Sequence, residues 1–399
     1  MDYTERPSLP WPELAGVTNT LAQWLPGTVA NTAVAEWQTA EWEAAEWVVY
    51  WQNALPWLVK RVRESGMIVP EPVWSRLQAI DGESRERTRR MLDACVELLD
   101  ALARVGVQAM PLKGAALAAL YYEDILQRPL ADLDILIHKA DLEVSLAVLE
   151  QLGYRFYSRS AEDEVYLRGE RKTMIWAADN VQPVELHYTL REEFAGIGYN
   201  LAELMWEIGA ERPYWQNSRA LVADTPSLLH HVCAHATSDL LIQRGRLMHL
   251  DDIGRLVARM DNAGWRRLEK AISPQKARFV YPALAMAIRY AQVAIPESVE
   301  AGLRQNCPPA LLQWLAETEL AEASESNPAL RSGIGFGLAR RLALSRADEM
   351  RFWWRSFFPR RWNLSKRYPR LVATPFWPLG YVLINLDRMW HLVKKSRMR

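Results

Sequence analysis

The spacing of apolar residues predicts a chain that is helical at both ends, with a segment of strands in between. Apolar residues recur at helical intervals from about Ser84 onward, and Gly106 supplies a helix stop. Helical spacing returns after about residue 220, in "TPSLLHHVCAHATSDLLIQ" and "LDDIGRLVARM". Residues 107–190 are therefore predicted to form an α/β segment inside an otherwise helical protein.

The α/β segment alternates short apolar runs with runs of aromatic and β-branched residues. The first predicted elements are a strand at 107–112, a helix at 115–122, a strand at 132–137 and a helix at 141–152. Asp141 can cap the second of these helices, and Gly153 ends it. The stretches "YRFYSR", "EVYLR", "TMIWAA" and "VQPVELHYTL" predict three or four further strands up to Leu190.

The predicted strand in "ADLDILIH" carries two acids. Because alternate residues of a strand point the same way, Asp132 and Asp134 project from one face and Leu133 and Ile135 from the other. Two neighbouring carboxylates raise each other's pKa, and a divalent cation removes that conflict. Oxygen ligands suit Mg²⁺, and we expect Mg²⁺ or Mn²⁺ as the cofactor.

A later strand offers a third acid. In "PVELHY", Glu185 is flanked by apolar residues and shows the same alternation as the first acidic strand. We predict Glu185 as a metal ligand together with Asp132 and Asp134. His187 lies two residues further on the same strand face, where we expect it to orient Glu185 or to meet the acceptor.

Upstream of the acidic strand, three residues suit a phosphate. Gly114 stands where a strand turns into a helix, so backbone N–H groups can approach an anion at the helix N-terminus. Lys113 adds a mobile cation beside it. Arg128, followed by Pro129, has the planar guanidinium that holds a phosphate through two hydrogen bonds.

Together these features predict phosphoryl or nucleotidyl transfer, in which metals neutralise the phosphates and activate the attacking hydroxyl. Each feature alone has a simpler explanation: a lone Asp-x-Asp is commonly a capped loop or a solvated strand edge, and Glu185 alone an exposed edge residue. Their order along the chain favours the site, because strand, glycine turn, helix, Arg and two acidic strands follow one another.

The stretch "MPLKGAALAALYYEDILQRPLADLDILI" resembles the opening motif of the uncharacterised nucleotidyltransferase family. That motif combines Leu-Lys-Gly, a Tyr-containing helix, Arg-Pro and Asp-x-Asp, and the family is a branch of the DNA polymerase β-like superfamily. The resemblance extends to "LEQLGY" and "VELHY", and loosely to "LLHHVCAHA" and "LDDIGRL". It covers roughly residues 85–260 and, more faintly, the C-terminal part.

The resemblance implies an α+β fold: a polymerase β-like core, with a mixed sheet and flanking helices, set between N- and C-terminal helical regions. It also implies Asp132, Asp134 and Glu185 as metal ligands, with Lys113 and Gly114 in the nucleotide-binding turn. The wider superfamily has Gly-Ser or Gly-Gly-Ser in that turn, whereas this chain has Lys-Gly followed by Ala.

Histidines form a second group of candidate ligands. His231 and His235 lie four residues apart on a predicted helix, with Asp239 one turn further and His249 beyond. That spacing can bind zinc or build a phosphohydrolase site. We favour hydrogen-bonded core or substrate-side histidines instead, since the Glu of a His-Glu-x-x-His site is missing.

The composition of the chain indicates its size class, its cysteine chemistry and its expected location in the cell. The 399 residues are half hydrophobic, which suffices for two or three packed units. The three cysteines lack a Cys-x-x-Cys spacing, so we expect neither a disulfide framework nor a zinc ribbon. The N-terminal sequence lacks the features of a secretion signal, and we expect a cytoplasmic protein.

Charge is unevenly distributed along the chain. Of 48 basic and 48 acidic residues, 12 basic ones and a single acid lie in residues 351–399, which leaves 36 basic and 47 acidic residues before position 351. This aromatic, basic tail can contact an anionic membrane surface or a nucleic acid. The alternative we favour is that it docks onto the acidic body, with its Trp side chains in grooves there.

The changes in pattern divide the chain into four regions: 1–105, N-terminal and helical; 106–220, the nucleotidyltransferase core; 221–345, helical; and 346–399, the basic aromatic segment. We predict an enzyme that moves an NMP from an NTP to an unknown acceptor, which is a small molecule, a peptide, a protein or RNA. The alternatives are a non-catalytic binding or regulatory protein with the same fold, and a toxin-like enzyme that modifies tRNA.

Overall fold

The computed structural model describes residue 7 and residues 9–159, 163–168, 181–194, 197–324, 341–361, 364 and 367–396. Within these ranges the protein is a mixed α/β structure in which helices predominate and the strands form small sheets. This composition agrees with the predicted α+β class. The strand predicted at "TMIWAA", residues 173–178, lies outside the described residues.

Helices form the N-terminal region, as the sequence predicts. They are α1 (Trp11–Trp24), α2 (Thr32–Ala35), α3 (Thr39–Trp51), α4 (Leu55–Ser65) and α5 (Glu71–Arg104). Helix α5 begins well before the predicted start near Ser84, because Pro70 and Pro72 flank its first residue, where no backbone N–H is needed. It ends as predicted, since Gly106 adopts a φ of 79° just beyond it.

A five-stranded sheet follows, with the strand order β1-β2-β5-β4-β3. The strands are β1 (Ala109–Pro111), β2 (Leu133–Ile137), β3 (Arg155–Arg159), β4 (Asp163–Arg168) and β5 (Gln182–His187). Strands β2 and β5 run parallel, and the other neighbouring pairs run antiparallel. Strand β2 is shorter than predicted and begins after Asp132, so Asp132 lies just outside the ladder.

Two helices connect these strands. Helix α6 (Lys113–Tyr121) links β1 to the loop before β2, and α7 (Leu142–Gln151) links β2 to β3. Asp141 occupies the N-cap position of α7, but its side chain makes no capping hydrogen bond; its carbonyl accepts one from Ser145 Oγ at 2.8 Å. Gly153 ends this region with a φ of 82°, as predicted.

Two small hairpins and a helical bundle complete the fold. The hairpins are β6 (Arg191–Phe194) with β7 (Ile197–Asn200), and β8 (Ala210–Pro213) with β9 (Arg219–Val222). The helices are α8 (Ala202–Glu207), α9 (Thr225–Leu241), α10 (Leu247–Val257), α11 (Asn262–Ala271), α12 (Ala277–Ala291), α13 (Glu297–Gln305) and α14 (Pro309–Glu317). Helix α9 packs against α10 and α12, and it also contacts β6 of the first hairpin.

Three further helices lie near the C-terminus: α15 (Arg346–Phe357), α16 (Pro369–Val372) and α17 (Leu379–Ser396). One apolar core extends from Leu14 to Phe352, and a small separate cluster joins Leu364, Val372 and Ile384. Among the described residues, no helix has the length and apolar character needed to cross a bilayer. The predicted division into four regions stays a prediction.

Candidate active site

Two of the predicted acids stand side by side on neighbouring parallel strands. Asp134 of β2 is in register with Glu185 of β5. As the alternation predicts, Leu133, Ile135 and Ile137 are fully buried in the core. Asp134 is itself 5% exposed, so β2 places a carboxylate in an interior where a charge needs a partner.

Lys113 supplies that partner. Its Nζ donates to Asp134 Oδ1 at 2.8 Å, and its side chain is largely buried. The backbone holds Lys113 in place, because the adjacent Leu112 N–H donates to the Asp134 carbonyl at 2.9 Å. Lys113 has a φ of 39°, in the left-handed region that side-chain-bearing residues seldom adopt. Such a conformation costs about 1–3 kcal/mol and is typical of functional turns.

His187 contacts the same oxygen of Asp134 as Lys113 does. Its Nε2 lies 2.8 Å from Asp134 Oδ1 and 3.7 Å from Glu185 Oε2. The first distance is a hydrogen bond and the second is too long for one. His187 therefore contacts Asp134 directly, whereas the sequence pointed to Glu185 as its neighbour.

Burial and these contacts shift the pKa values of the acids in opposite directions. Burial alone would raise the pKa of Asp134, but Lys113 and His187 outweigh it and hold that pKa well below the usual range. Burial, with the charges of Asp134 and Asp132, raises the pKa of Glu185 to about 7. Burial and the charge of Asp134 also raise the pKa of Asp132. The cluster thus carries more negative charge than one ammonium balances.

The set of side chains close enough to share a metal differs from the predicted set. Ligand atoms of Asp134, Glu185 and His187 all lie within 4.8 Å of one another. Asp132 does not belong to that set, and it is half-buried at the entrance to β2. Two of the three predicted ligands, Asp134 and Glu185, therefore lie close together, and His187 lies beside them.

Arg128 lies near this site with its guanidinium engaged elsewhere. Its Nε and Nη2 each donate to Asp252 of α10 at 2.9 Å, and its Nη1 donates to the Pro129 carbonyl at 2.6 Å. Tyr122 also donates to Asp252, at 2.8 Å. Arg128 is 6% exposed and Asp252 is 2% exposed. The arginine predicted to grip a phosphate thus joins the sheet region to the helical bundle, and its phosphate contact stays a prediction.

Gly114 is required by this same packing. A Cβ at Gly114 would lie 2.8 Å from Leu130 Cδ2 and 3.1 Å from Arg128 Nη1. The absence of a side chain therefore lets the Arg128 loop close against the first turn of α6. Sequence reasoning assigned Gly114 to a phosphate and missed this contact, because nothing in the local sequence specifies the distant Asp252.

A sequence profile of a family described as uncharacterised nucleotidyltransferase matches residues 38–292. The chain belongs to this family. The match covers well over half of the chain and extends from the start of α3 to the end of α12. No curated protein matches the chain.

The protein is therefore a nucleotidyltransferase, and the resemblance inferred from the sequence is confirmed. The matched range includes the sheet, the turn at Lys113 and helices α9 and α10. Nucleotidyltransferases generally use divalent metals, and the cluster around Asp134 has the acidic character that such an ion needs. Carboxylate oxygens suit Mg²⁺, and the imidazole of His187 also suits Mn²⁺.

The histidines of α9 and α10 form a second cluster in this nucleotidyltransferase. Ligand atoms of His235, Asp239 and His249 lie within 4.8 Å of one another. His235 Nδ1 is 3.6 Å from Glu192 Oε1 of β6, and Ser238 Oγ donates to Glu192 at 2.6 Å. His231, which the sequence grouped with His235, is not part of this set. Zinc binding here stays a prediction.

Burial and nearby charges shift the pKa values of the histidines of α9 and α10 and of Glu192. Burial lowers the pKa of His231 to about 3, and Lys113 contributes to that shift. Burial lowers the pKa of His249 well below its usual range, with a smaller contribution from Lys113. Burial would raise the pKa of Glu192, but His235 and Ser238 bring it down to about 2. The charge of Lys113 therefore also acts on histidines of α9 and α10.

Proposed function

We propose that the protein transfers an NMP group from an NTP to an acceptor, in a metal-dependent reaction at Asp134 and Glu185 on a polymerase β-like core. The observation that carries this proposal is the in-register pair of Asp134 and Glu185 on parallel strands, with Lys113 on Asp134. Asp132, one residue before β2, completes the acidic set. The cofactor is Mg²⁺ or Mn²⁺, as a pair of ions in the two-metal form of the reaction.

The side chains of this cluster have distinct parts in the proposal. A divalent cation supplies charge neutralisation for the triphosphate and lowers the pKa of an attacking hydroxyl. His187 orients the Asp134 carboxylate through its hydrogen bond. Burial and the neighbouring acids raise the pKa of Glu185 to about 7, and its deprotonated carboxylate would hold the cation beside Asp134.

Lys113 keeps the acids together before substrate arrives. Its ammonium offsets the repulsion between Asp134 and its neighbours. Burial would lower the pKa of Lys113, but the charges of Asp134 and Glu185 outweigh it and hold that pKa above the ordinary value. A triphosphate offers it a competing set of anionic oxygens. We propose that Lys113 contacts those oxygens in the substrate complex, in the place where the wider superfamily uses a serine.

The helical bundle supplies the acceptor side of the cleft in this proposal. Helices α9 and α10 carry the second cluster, and α10 is tied to the loop before β2 through Asp252. The core at 106–220 and the helical region at 221–345 therefore work together. The acceptor is a small molecule, a peptide, a protein or RNA.

The reaction can be tested with NTPs labelled either at the α-phosphate or at the γ-phosphate, mixed with Mg²⁺ and cell extract. The proposal predicts transfer of the α-label, with release of pyrophosphate, and loss of transfer in Asp134→Asn and Glu185→Gln. Glu150→Gln, an exposed acid on α7, is the matched control and retains transfer.

Three outcomes discriminate between the hypotheses. Transfer of the γ-label would show a kinase and overturn the proposal. Transfer confined to tRNA would identify the toxin-like alternative, which uses the same site. Unchanged transfer in folded Asp134→Asn and Glu185→Gln would place the chemistry elsewhere in the enzyme.

A further inference from the structure

The C-terminal helix α17 turns a stripe of apolar side chains toward solvent. The stripe consists of Leu379, Val382, Leu383, Leu386 and Trp390, which are exposed by 54%, 55%, 42%, 55% and 66%. Their spacing of three, four, seven and eleven residues from the first places them along one face of the helix. In a helix packed on a protein core, that face would be the buried one.

The opposite face of α17 is attached to the rest of the C-terminal segment. Ile384 is 8% exposed and packs with Leu364 and Val372. Asn385 donates to the Phe357 carbonyl at 2.9 Å. One side of α17 therefore packs against the protein, and the apolar stripe lies on the opposite, solvent-exposed side.

The residues before α17 expose further apolar side chains. They are Met350, Trp354, Phe357, Phe358 and Phe376. Trp354 stacks near Phe358 with ring centroids 4.5 Å apart, and Phe358 meets Tyr381 of α17 edge-on at 5.4 Å. We call these five residues and the stripe the C-terminal apolar surface.

This surface concentrates apolar exposure in one part of the chain. Among the described residues, ten of the seventeen large apolar side chains that are exposed belong to it. The others, such as Ile68 and Val144, are spread over the preceding 340 or so positions. Scattered exposed apolar residues need no explanation, whereas five exposed apolar residues along one face of a helix indicate a partner or a membrane.

The charge around this surface is strongly positive. Residues 351–399 contain 12 basic residues, and Asp387, the single acid there, is paired with Arg367. Arg355 and Arg370 of this segment are exposed. Trp354 and Trp390 are exposed, whereas Phe352 is buried in the main core and Trp353 packs against it. The predicted docking of the tail onto the acidic body stays a prediction.

We propose that the C-terminal apolar surface docks on an anionic lipid bilayer, with α17 lying in the plane of the interface. An exposed amphipathic helix with aromatic and aliphatic residues on one side and basic residues around it fits the headgroup boundary. Each Lys or Arg near an anionic membrane strengthens binding by electrostatic attraction.

Other occupants fit this surface less well. A nucleic acid would use the basic and aromatic residues, but it offers nothing apolar to an aliphatic stripe of Leu and Val. A second copy of the chain would bring two strongly basic segments together, which is electrostatically unfavourable. The segment also lies outside the range matched by the nucleotidyltransferase family, so its role is separable from the chemistry.

The test is co-sedimentation of the full chain with vesicles of phosphatidylcholine alone, or with about 30 mol% phosphatidylglycerol. Binding is expected only to the anionic vesicles and is expected to weaken as salt increases. The double variant Leu383→Asp/Leu386→Asp should bind about tenfold more weakly or worse. Arg355→Glu/Arg370→Glu should also weaken binding to the anionic vesicles.

The matched control is Ile68→Asp, which places the same charge at an apolar side chain that is 89% exposed but far along the sequence. It should bind like the unaltered protein, and circular dichroism should show all variants folded. The proposal is overturned if the unaltered protein does not bind anionic vesicles, or if the Leu383→Asp/Leu386→Asp variant binds them as well as the unaltered protein does. It is also overturned if light scattering shows a dimer that this variant dissociates, or if RNA is bound in preference to vesicles.

Discussion

Lys113 and Asp134 form an ion pair of 2.8 Å between the first residue of α6 and the second residue of β2. Lys113 holds a φ of 39°, a conformation that suits glycine. The backbone of the turn thus has a glycine-like conformation, while the Lys113 side chain balances the Asp134 carboxylate.

This relationship predicts how stability depends on Lys113. Lys113→Met leaves Asp134 buried without its cation, and removing one member of a buried pair costs about 3–5 kcal/mol. Lys113→Gly loses the same cation but relieves the unfavourable backbone, so it should be less destabilising by about 1 kcal/mol. Denaturant unfolding in the presence of EDTA measures both.

Mg²⁺ should stabilise both Lys113 variants more than the unaltered protein, because the cation can then take over the role of the ammonium. Lys60→Met, in an exposed pair with Glu64, is the control and should change little. Equal stability of Lys113→Met and the unaltered protein in EDTA would contradict a structural role for the pair.

A second prediction concerns Arg128 and Asp252. Asp252→Ala leaves a buried guanidinium unpaired and should destabilise the protein by about 3–5 kcal/mol. The double variant Arg128→Met/Asp252→Leu removes both charges and should recover most of that stability. Thermal unfolding compares the two proteins.

The double variant also separates packing from phosphate binding. If Arg128 acts only through Asp252, the folded double variant keeps its affinity for NTP. A rise in KM for NTP of about tenfold or more would show that Arg128 touches phosphate in the substrate complex. Recovery of neither stability nor folding would argue against a simple paired-charge account.

Gly114→Ala tests the close approach of the Arg128 loop. The added Cβ would meet Leu130 Cδ2 at 2.8 Å, so we expect destabilisation of about 1–3 kcal/mol. Gly16→Ala and Gly82→Ala are matched controls, because both glycines are helical and have open space at the Cβ position. These controls should stabilise by about 0.5–1 kcal/mol. A neutral Gly114→Ala would contradict the packing role.

The buried histidines His230 and His231 are expected to make the stability of the folded protein fall in acid. Burial lowers the pKa values of His230 and His231 to about 3, from an ordinary value of 6.5. Between pH 6.5 and 3 the unfolded chain therefore binds more protons at these sites than the folded one, and stability falls as pH falls. From pH 6.5 to 5 each histidine should cost about 2 kcal/mol.

The variant His231→Leu isolates one such contribution. The difference in unfolding free energy between this variant and the unaltered protein should change by about 2 kcal/mol over that pH interval. The exposed His138, which stacks on Trp206, is the position for a control substitution of a histidine outside the core. A pH profile for His231→Leu that runs parallel to that of the unaltered protein would show that His231 is not buried neutral.

Local sequence patterns predicted much of the core. Alternation in "ADLDILIH" placed Asp134 opposite the fully buried Leu133 and Ile135, and glycines with positive φ stopped the helices before Val107 and Tyr154. These features depend on neighbours in the chain, so a single sequence carries them.

Contacts between distant segments were not predictable in the same way. The bond from Arg128 to Asp252 spans 124 residues, and that from His187 to Asp134 spans 53. No periodicity in the sequence specifies either pair, because the fold brings them together through the packing of α10 and the register of β5. Asp132 was assigned to the strand because its alternation matched, but the ladder begins one residue later.

The proposed role of Asp134 and Glu185 is to hold the divalent cation of this nucleotidyltransferase. It can be measured by titrating Mn²⁺, followed by electron paramagnetic resonance, in the presence of a non-hydrolysable ATP analogue. We expect Asp134→Asn and Glu185→Gln each to weaken Mn²⁺ binding by about tenfold or more, while Glu150→Gln binds like the unaltered protein. Mn²⁺ binding of unchanged affinity in both folded variants would contradict it.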